Sequence, residues 1–352
     1  GGPFVEGGRI EAQGQIEADA AQVAQSEREL VTRLQQQLRD KARSQVEVVA
    51  SFYERIGALE KRAQTLSGDA GGRLETKVAW GLRDACLSLG VRIHEQTRAT
   101  GFGDSAGADV VVTTESDADP GSIRARRVAL GTNAFPPLLR RLRHLVVPVY
   151  DYVIVTEPLS DDQWASIGWD GREGIGDSGN QFHYYRRTDD GRILFGGYDA
   201  IYNRGNGMGA QHDQRPESFA LLAEHLVEVF PQLEGVRASH AWGGAIDTCS
   251  RFSAFYGTAR DGRVAYAAGY TGLGVGATRF GAAVMLDLLD GKDTERTRTR
   301  MVRSTPLPFP PEPLRFPVIE ATRWSLDRAD RNDGRRNLWL RTLDRLGLGF
   351  DS

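Results

Sequence analysis

The sequence is poor in cysteine, and this scarcity excludes several kinds of site. Its 352 residues include only two cysteines, Cys86 and Cys249, which support neither a disulfide framework nor a cysteine-based metal site. We expect both to be buried free thiols. We also expect no bound metal and a cytoplasmic location.

Long apolar runs and a strong charge of either sign are also missing. No run of about 18 apolar residues is present, so we expect no transmembrane helix. The first residues carry neither the basic nor the apolar region of a secretory signal. A net charge of −3 and a pI near 6.1 argue against a nucleic-acid partner and against an anionic membrane surface.

The N-terminal part of the chain has a helical composition. Residues 15–67 are rich in Gln, Glu, Arg and Ala, with no proline and a single glycine, Gly57. Apolar residues recur there at alternating intervals of four and three, which is typical of a coiled coil. We therefore interpret residues 1–70 as a long coiled-coil-like helical segment and expect homo-oligomers to form through it.

After a glycine-rich boundary at residues 68–72, the pattern changes to α/β (α+β). It predicts helices at residues 74–89, 218–230, 277–289, 318–330 and 336–346, and strands at residues 91–95, 108–114, 123–130, 238–246 and 263–268. The turn TDDG between FHYYRR and RILFGG predicts a β-hairpin. The predicted domains comprise residues 71–145 with 258–292, a β-rich domain at 146–257, and a proline-rich arm with C-terminal helices at 293–352.

One glycine-dense loop, GYTGLGVG, separates a predicted strand from the helix at residues 277–289. Glycines let a backbone approach a ligand closely, and a helix N-terminus points free N–H groups at it. The loop could instead permit tight strand–helix packing, or bind a nucleotide phosphate. A phosphate loop of the Rossmann type should be followed by a βαβ unit and an acidic residue about twenty positions later. Neither follows here, so we favour a different contact with a cofactor.

The segment GYTGLGVGATRFGA resembles the C-terminal flavin-contacting segment of the FAD-dependent oxidoreductases related to D-amino-acid oxidase, glycine oxidase and sarcosine oxidase. Four further segments match that family in the same order: KVAWGLRDACLSLGVRIHEQT, VALGTNAF, YYRRTDDGRILFGG and HAWGG. The resemblance implies an FAD cofactor and a Rossmann-like FAD-binding domain with a β-rich substrate domain. It implies that FAD is contacted by Gly131, Thr132, Gly269, Tyr270, Thr271, Gly272, Leu273, Gly274 and Val275.

The resemblance also implies the oxidation of a C–N bond in a small amine or amino acid, with hydride transfer to flavin. A helix N-terminus near Gly272 suits the negative charge that the reduced ring gains. For the substrate we consider Tyr185 and Arg187, which share one face of a strand, and Trp242; packing roles are the alternative for all three. We considered His240 and Asp247 near a substrate amine and expect surface positions for both. No catalytic residue is assigned.

The resemblance is incomplete at the N-terminus. The family's dinucleotide-binding βαβ unit has no counterpart in the first 72 residues, so the FAD domain is expected to be incomplete and the chain alone to bind FAD weakly or not at all. The alternative function is a non-catalytic oligomeric interaction protein built on a flavoenzyme remnant. A nicotinamide-dependent dehydrogenase is disfavoured because no βαβ unit follows the glycine loop.

Overall fold

The computed structural model describes residues 73–103, 107, 109–116, 121–346 and 348. The predicted coiled-coil segment and its role in oligomers lie outside these residues. Residues 78–93 belong to one structural unit, and the described residues from His94 onward belong to a second. No described helix is both long and apolar enough to cross a membrane.

Helix α1, Arg73–Ser88, confirms the first predicted helix. The strand predicted at residues 91–95 is wrong, because the first strand, β1, begins only at Thr97. The Val91 N–H bonds instead to the Cys86 carbonyl at 3.0 Å, so this segment caps the end of the helix. Both cysteines are free thiols; Cys249 is buried as expected, whereas Cys86 is half-buried.

Three strands form an antiparallel meander, β1 (Thr97–Gly103), β2 (Val110–Ser116) and β3 (Gly121–Ala125). The single strand predicted at residues 123–130 is in fact two strands, β3 and β4 (Val128–Leu130). The chain changes sheets between them because the Val128 N–H bonds to the Arg263 carbonyl rather than to the meander.

A second, mixed sheet has the order β11–β12–β4, with β11 at Phe255–Ala259 and β12 at Val264–Ala268. Strand β12 runs antiparallel to β11 and parallel to β4. All five residues of β12 are buried, as expected for a strand covered on both faces. One face shares a core with the meander, and helix α4 (Gly274–Leu289) packs on the other.

The large sheet has the order β10–β5–β8–β7–β6, and the short strand β9 also pairs with β5. Its strands are β5 (Val147–Thr156), β6 (Ile175–Gly176), β7 (His183–Arg187), β8 (Ile193–Gly197), β9 (Ile201–Tyr202) and β10 (Ala238–Thr248). The predicted β7–β8 hairpin is confirmed, and Gly191 supplies the positive φ of its turn at 76°.

The two faces of the large sheet differ in what covers them. On the helix face, Tyr152, Ile154 and Phe195 form a core with residues of helices α2 (Asp161–Ile167) and α3 (Pro216–Val229). On the other face, Val153, Val155 and Leu194 pack with Tyr184 and Trp242. We call this second side the Trp242 face.

The C-terminal part contains helices α5 (Glu295–Arg298), α6 (Arg300–Arg303), α7 (Arg315–Asp330) and α8 (Leu338–Arg345). The last two confirm the predicted C-terminal helices, although α7 begins three residues earlier than expected. The extended proline-rich segment before α7 is anchored rather than loose. The Phe309 N–H bonds to the His144 carbonyl at 2.7 Å, and buried Arg315 donates to Pro310 and Asn206.

Candidate cofactor and substrate site

The predicted cofactor residues come together because β4 and β12 are parallel neighbours. Val128 pairs with Val264 and Leu130 pairs with Tyr266, so the carboxyl ends of both strands meet at one edge of the sheet. Gly131 and Thr132 follow β4 at this edge, and the glycine loop at residues 269–273 follows β12. Ligands of open α/β sheets bind at such carboxyl ends.

The loop after β12 requires glycine at its first position. Gly269 has a φ of 75°, and a Cβ built there would lie 2.9 Å from the Cys249 Sγ and 3.0 Å from the Phe255 ring. Thr271 and Gly272 also have positive φ values, 51° and 87°. The backbone is therefore tightly turned against the core, which is the packing role that the sequence analysis gave as an alternative.

Asp247 holds this loop from below. The carboxylate, only 4% exposed, accepts a hydrogen bond from the Gly269 N–H at 2.7 Å. The Asp247 carbonyl accepts a second bond from the Thr271 N–H at 3.1 Å. Burial raises the pKa of Asp247 to about 6, although the loop N–H groups favour the charged form. The surface position expected for Asp247 is wrong; its side chain supports the loop.

Helix α4 begins at Gly274, three residues before the predicted start, so Gly274 and Val275 belong to its first turn. No side chain caps this N-terminus. Leu273 and Val275 are 69% and 59% exposed. A Cβ at Gly131 or Gly276 would meet nothing within 4 Å, and one at Gly272 would meet only Ile246, at 3.8 Å.

This surface fits a flavin ring. Unsatisfied N–H groups and the positive end of the helix dipole suit the electron-rich carbonyl edge of the ring. The exposed apolar side chains suit its flat faces, and the glycines leave the backbone open to close approach. The Tyr270 ring is packed against helix α4, because its hydroxyl would lie only 2.0 Å from a Cβ built at Gly281.

A family model for FAD dependent oxidoreductases matches residues 11–288, which is most of the chain. The chain belongs to this family. FAD is the cofactor of the family, as the resemblance implied. The family's βαβ unit, predicted to be missing, is not tested by the described residues.

Two curated relatives illustrate the similarity. The chain is 28% identical to the probable oxidoreductase OrdL of Haemophilus influenzae over 60% of this chain and 46% of the relative. It is 30% identical to gamma-glutamylputrescine oxidoreductase of Escherichia coli over 70% of this chain and 54% of the relative. The chain thus spans about half the length of the curated relatives it matches.

A solved structure shares the fold. The chain superposes on glycine oxidase from Bacillus cereus with a TM-score of 0.50 and 16% identity, covering 65% of this chain and 58% of that one. At this identity the likeness concerns the fold alone.

Tyr185 and Arg187, predicted to bind substrate, lie on the helix face. The Tyr185 ring stacks on Phe195 at 5.3 Å and meets Trp169 and Phe230 edge-on. The Arg187 guanidinium lies over the Trp164 ring at 4.2 Å. These contacts favour the packing alternative for both residues. Trp242 lies on the opposite face, beside Tyr184 and Val153.

The sequence analysis missed a polar pair on the Trp242 face. The Tyr184 hydroxyl donates to the Asp151 carboxylate at 2.6 Å. Burial raises the pKa of Asp151 to about 6, while the Tyr184 bond opposes the rise. One signal was available in the sequence, because Asp151 is the only charged residue in the apolar run VPVYDYVIVT.

Proposed function

We propose that this chain supplies the flavin-ring site and the substrate face of an FAD-dependent oxidoreductase that oxidises the C–N bond of a small amine or amino acid. The observation that carries the proposal is the uncapped N-terminus of α4 behind the glycine loop, at the carboxyl ends of β4 and β12. The Trp242 face adjoins this loop through Ile246, which lies nearest to Gly272.

When bound, the flavin supplies a two-electron acceptor: the carbon next to nitrogen loses a hydride to it, the nitrogen loses a proton, and the C–N bond becomes C=N. The chain's own part is binding and orientation. Backbone N–H groups at residues 272, 274 and 275 stabilise negative charge on the ring, while the Leu273 N–H is bonded to the Tyr270 carbonyl. Asp247 keeps the loop in the conformation that presents them. The name of one relative, gamma-glutamylputrescine oxidoreductase, supports an amine substrate.

The ring site can be tested apart from the rest of the cofactor. Lumiflavin is the flavin ring without its phosphate and adenosine parts, so it needs no pyrophosphate-binding loop. We expect the full chain to quench lumiflavin fluorescence on binding. Gly272→Val should weaken that binding at least about tenfold, because its side chain would occupy the open space beside the loop and would be strained at the positive φ of this position. Leu338→Ser, at an exposed position on α8, is the matched control.

Equal lumiflavin binding by the wild type and Gly272→Val would overturn the proposed site. FAD binding by the same chain then tests the expectation of weak FAD affinity. If the chain binds lumiflavin but no amine reduces bound flavin in the absence of oxygen, the alternative of a non-catalytic protein is favoured.

A further inference from the structure

A single carboxylate interrupts the apolar Trp242 face. The Asp151 carboxylate accepts a hydrogen bond from the Tyr184 hydroxyl at 2.6 Å, and the backbone N–H groups of Tyr152 and Gly197 also favour its charged form. The Asp199 carboxylate also acts on Asp151 and raises its pKa further. A half-buried carboxylate whose pKa is raised by desolvation is costly to keep charged, and such groups concentrate at binding sites.

Asp199 is itself paired with two cations. Arg215 and Arg323 both pair with the Asp199 carboxylate, at 2.8 Å and 3.3 Å. A carboxylate has about four acceptor positions, and the Tyr184 hydroxyl fills one of those of Asp151. The pair therefore retains acceptor capacity and negative charge for a further donor.

Tyr184 reaches Asp151 only because the strand between them carries a glycine. A Cβ at Gly196 would lie 2.8 Å from the Tyr184 Cζ and Oη atoms and 2.8 Å from the Val153 Cγ2 atom. Tyr184 pairs with Gly196, so its ring crosses strand β8 to reach strand β5. The absence of a side chain at Gly196 therefore leaves room for the Tyr184 ring, and its hydroxyl is held against the Asp151 carboxylate.

The strand register places Asp151 close to the flavin-ring loop. Asp151 pairs with Gly244 on β10, between Trp242 and Ile246 on the same face. Diagonal neighbours in an antiparallel pair are about 7–8 Å apart. Ile246 in turn adjoins Gly272. The carboxylate therefore lies within the length of a small aliphatic molecule from the loop, with an indole ring at its side.

We propose that Asp151, oriented by Tyr184, binds the positively charged amino group of the substrate beside Trp242. A carboxylate and the face of an indole both attract an ammonium group. Neither attracts a ligand carboxylate or a neutral alcohol to a comparable degree. The inference rests on the proposed function and names its substrate class: aliphatic amines that arrive as cations.

The charge of the Asp151 carboxyl depends on pH, and groups on the neighbouring strands influence its pKa. Tyr184 faces Asp151 from β7, Asp199 acts on it from the segment after β8, and β10 contributes the uncharged Trp242 and Gly244. Desolvation raises the pKa of Asp151 to about 6, so the carboxylate is anionic above that pH and neutral below it. An aliphatic amine stays protonated on both sides of this range.

The test measures binding of n-butylamine to the full chain by calorimetry, with 1-butanol as the neutral probe. We expect the wild type to bind the amine at about pH 8, to prefer it over the alcohol, and to lose at least about tenfold in affinity at about pH 5. Asp151→Asn should lose at least about tenfold at the higher pH. Tyr184→Phe removes a bond that lowers the pKa of Asp151, so the pH midpoint of amine binding should move upward, which loss of packing alone would not cause.

Asp189→Asn, an exposed acid in the β7–β8 turn, is the matched control and should behave as the wild type. Equal amine affinity in Asp151→Asn and wild type, or no amine binding by the wild type at either pH, overturns the inference. If Asp151→Asn does not fold, an unshifted pH midpoint in Tyr184→Phe overturns it. Lumiflavin binding measured in parallel separates this failure from failure of the proposed function.

Discussion

Replacing Gly196 by alanine tests the geometry of the Asp151–Tyr184 pair most directly. One methyl group would lie 2.8 Å from both the Tyr184 ring and Val153, so at least one neighbour must move. The Gly196 backbone does not have a positive φ, so alanine introduces no backbone strain there. The effect of the substitution therefore comes from the side chains.

The magnitude has two parts. Overpacking a filled site by one methyl group typically costs about 1–3 kcal/mol. If the Tyr184 ring moves away, the charge-assisted bond to Asp151 is also lost, worth about 1.5–3 kcal/mol. With both parts, we expect Gly196→Ala to lower the free energy of unfolding by about 2.5–6 kcal/mol. The pKa of Asp151 should rise further above 6, because the Tyr184 bond no longer opposes desolvation.

Urea unfolding measures the loss of folding free energy, and the pH midpoint of amine binding measures the change in the pKa of Asp151. Gly174→Ala is the control, because a Cβ there meets nothing within 4 Å and its φ is not positive. Tyr184→Ala combined with Gly196→Ala should relieve the close contact with the Tyr184 ring, but neither the contact with Val153 nor the loss of the hydrogen bond. If Gly196→Ala is as stable as Gly174→Ala and binds the amine with an unchanged midpoint, the crossing of β8 by the Tyr184 ring is refuted.

Three further predictions concern the loop, the buried acids and the helix face. Gly269→Ala combines a positive φ with a clash against the core, and should lower stability by about 2 kcal/mol or more and weaken lumiflavin binding; unchanged binding would contradict the role of the loop. The folded-state pKa values of Asp151 and Asp247 rise from 3.8 to about 6, so each carboxyl favours the folded state at low pH and loses about 3 kcal/mol of that contribution as pH rises through 6. Urea unfolding from about pH 4 to pH 8 should show this decline, and Asp151→Asn should remove its own share of it. Arg187→Ala should cost about 0.5–1 kcal/mol by losing its contact with an indole ring, while leaving amine binding unchanged.

Local patterns in the sequence were sufficient for the loop and the hairpin. The positive φ values that Gly269, Gly272 and Gly191 adopt follow from short-range turn geometry, which residue types reveal directly. The parallel pairing of β4 with β12 is different, because 133 residues separate Leu130 from Val264. The resemblance implied only that the residues after both strands contact FAD, and neither strand's own pattern indicates that the two pair.

The faces of the large sheet show where local reasoning stops. Alternation correctly placed Tyr185 and Arg187 together on one side of β7. Which side meets the glycine loop depends on the register of β10 against β5 and on which face α3 covers, and neither is encoded within β7. The Tyr184–Asp151 pair on the other face depends on the alignment of three strands, because Tyr184 on β7 reaches Asp151 on β5 across Gly196 on β8. No single strand predicts it.

Asp151 and Asp247 lie on opposite sides of the proposed site, and desolvation raises the pKa of both to about 6. Asp247 ends β10 and holds the loop N–H groups, whereas Asp151 lies on the adjacent strand β5 and presents its charge to the Trp242 face. Desolvation dominates the pKa of both, so each destabilises the fold near neutral pH. Asp247 recovers part of this cost through bonds to the loop it supports. Asp151 accepts a hydrogen bond from Tyr184, whose ring fits across β8 only because residue 196 is glycine. Packing alone does not require this arrangement. A fold that served only as a scaffold would be more stable with an apolar residue at position 151, and the retained charge is accounted for by a cation that arrives with the substrate.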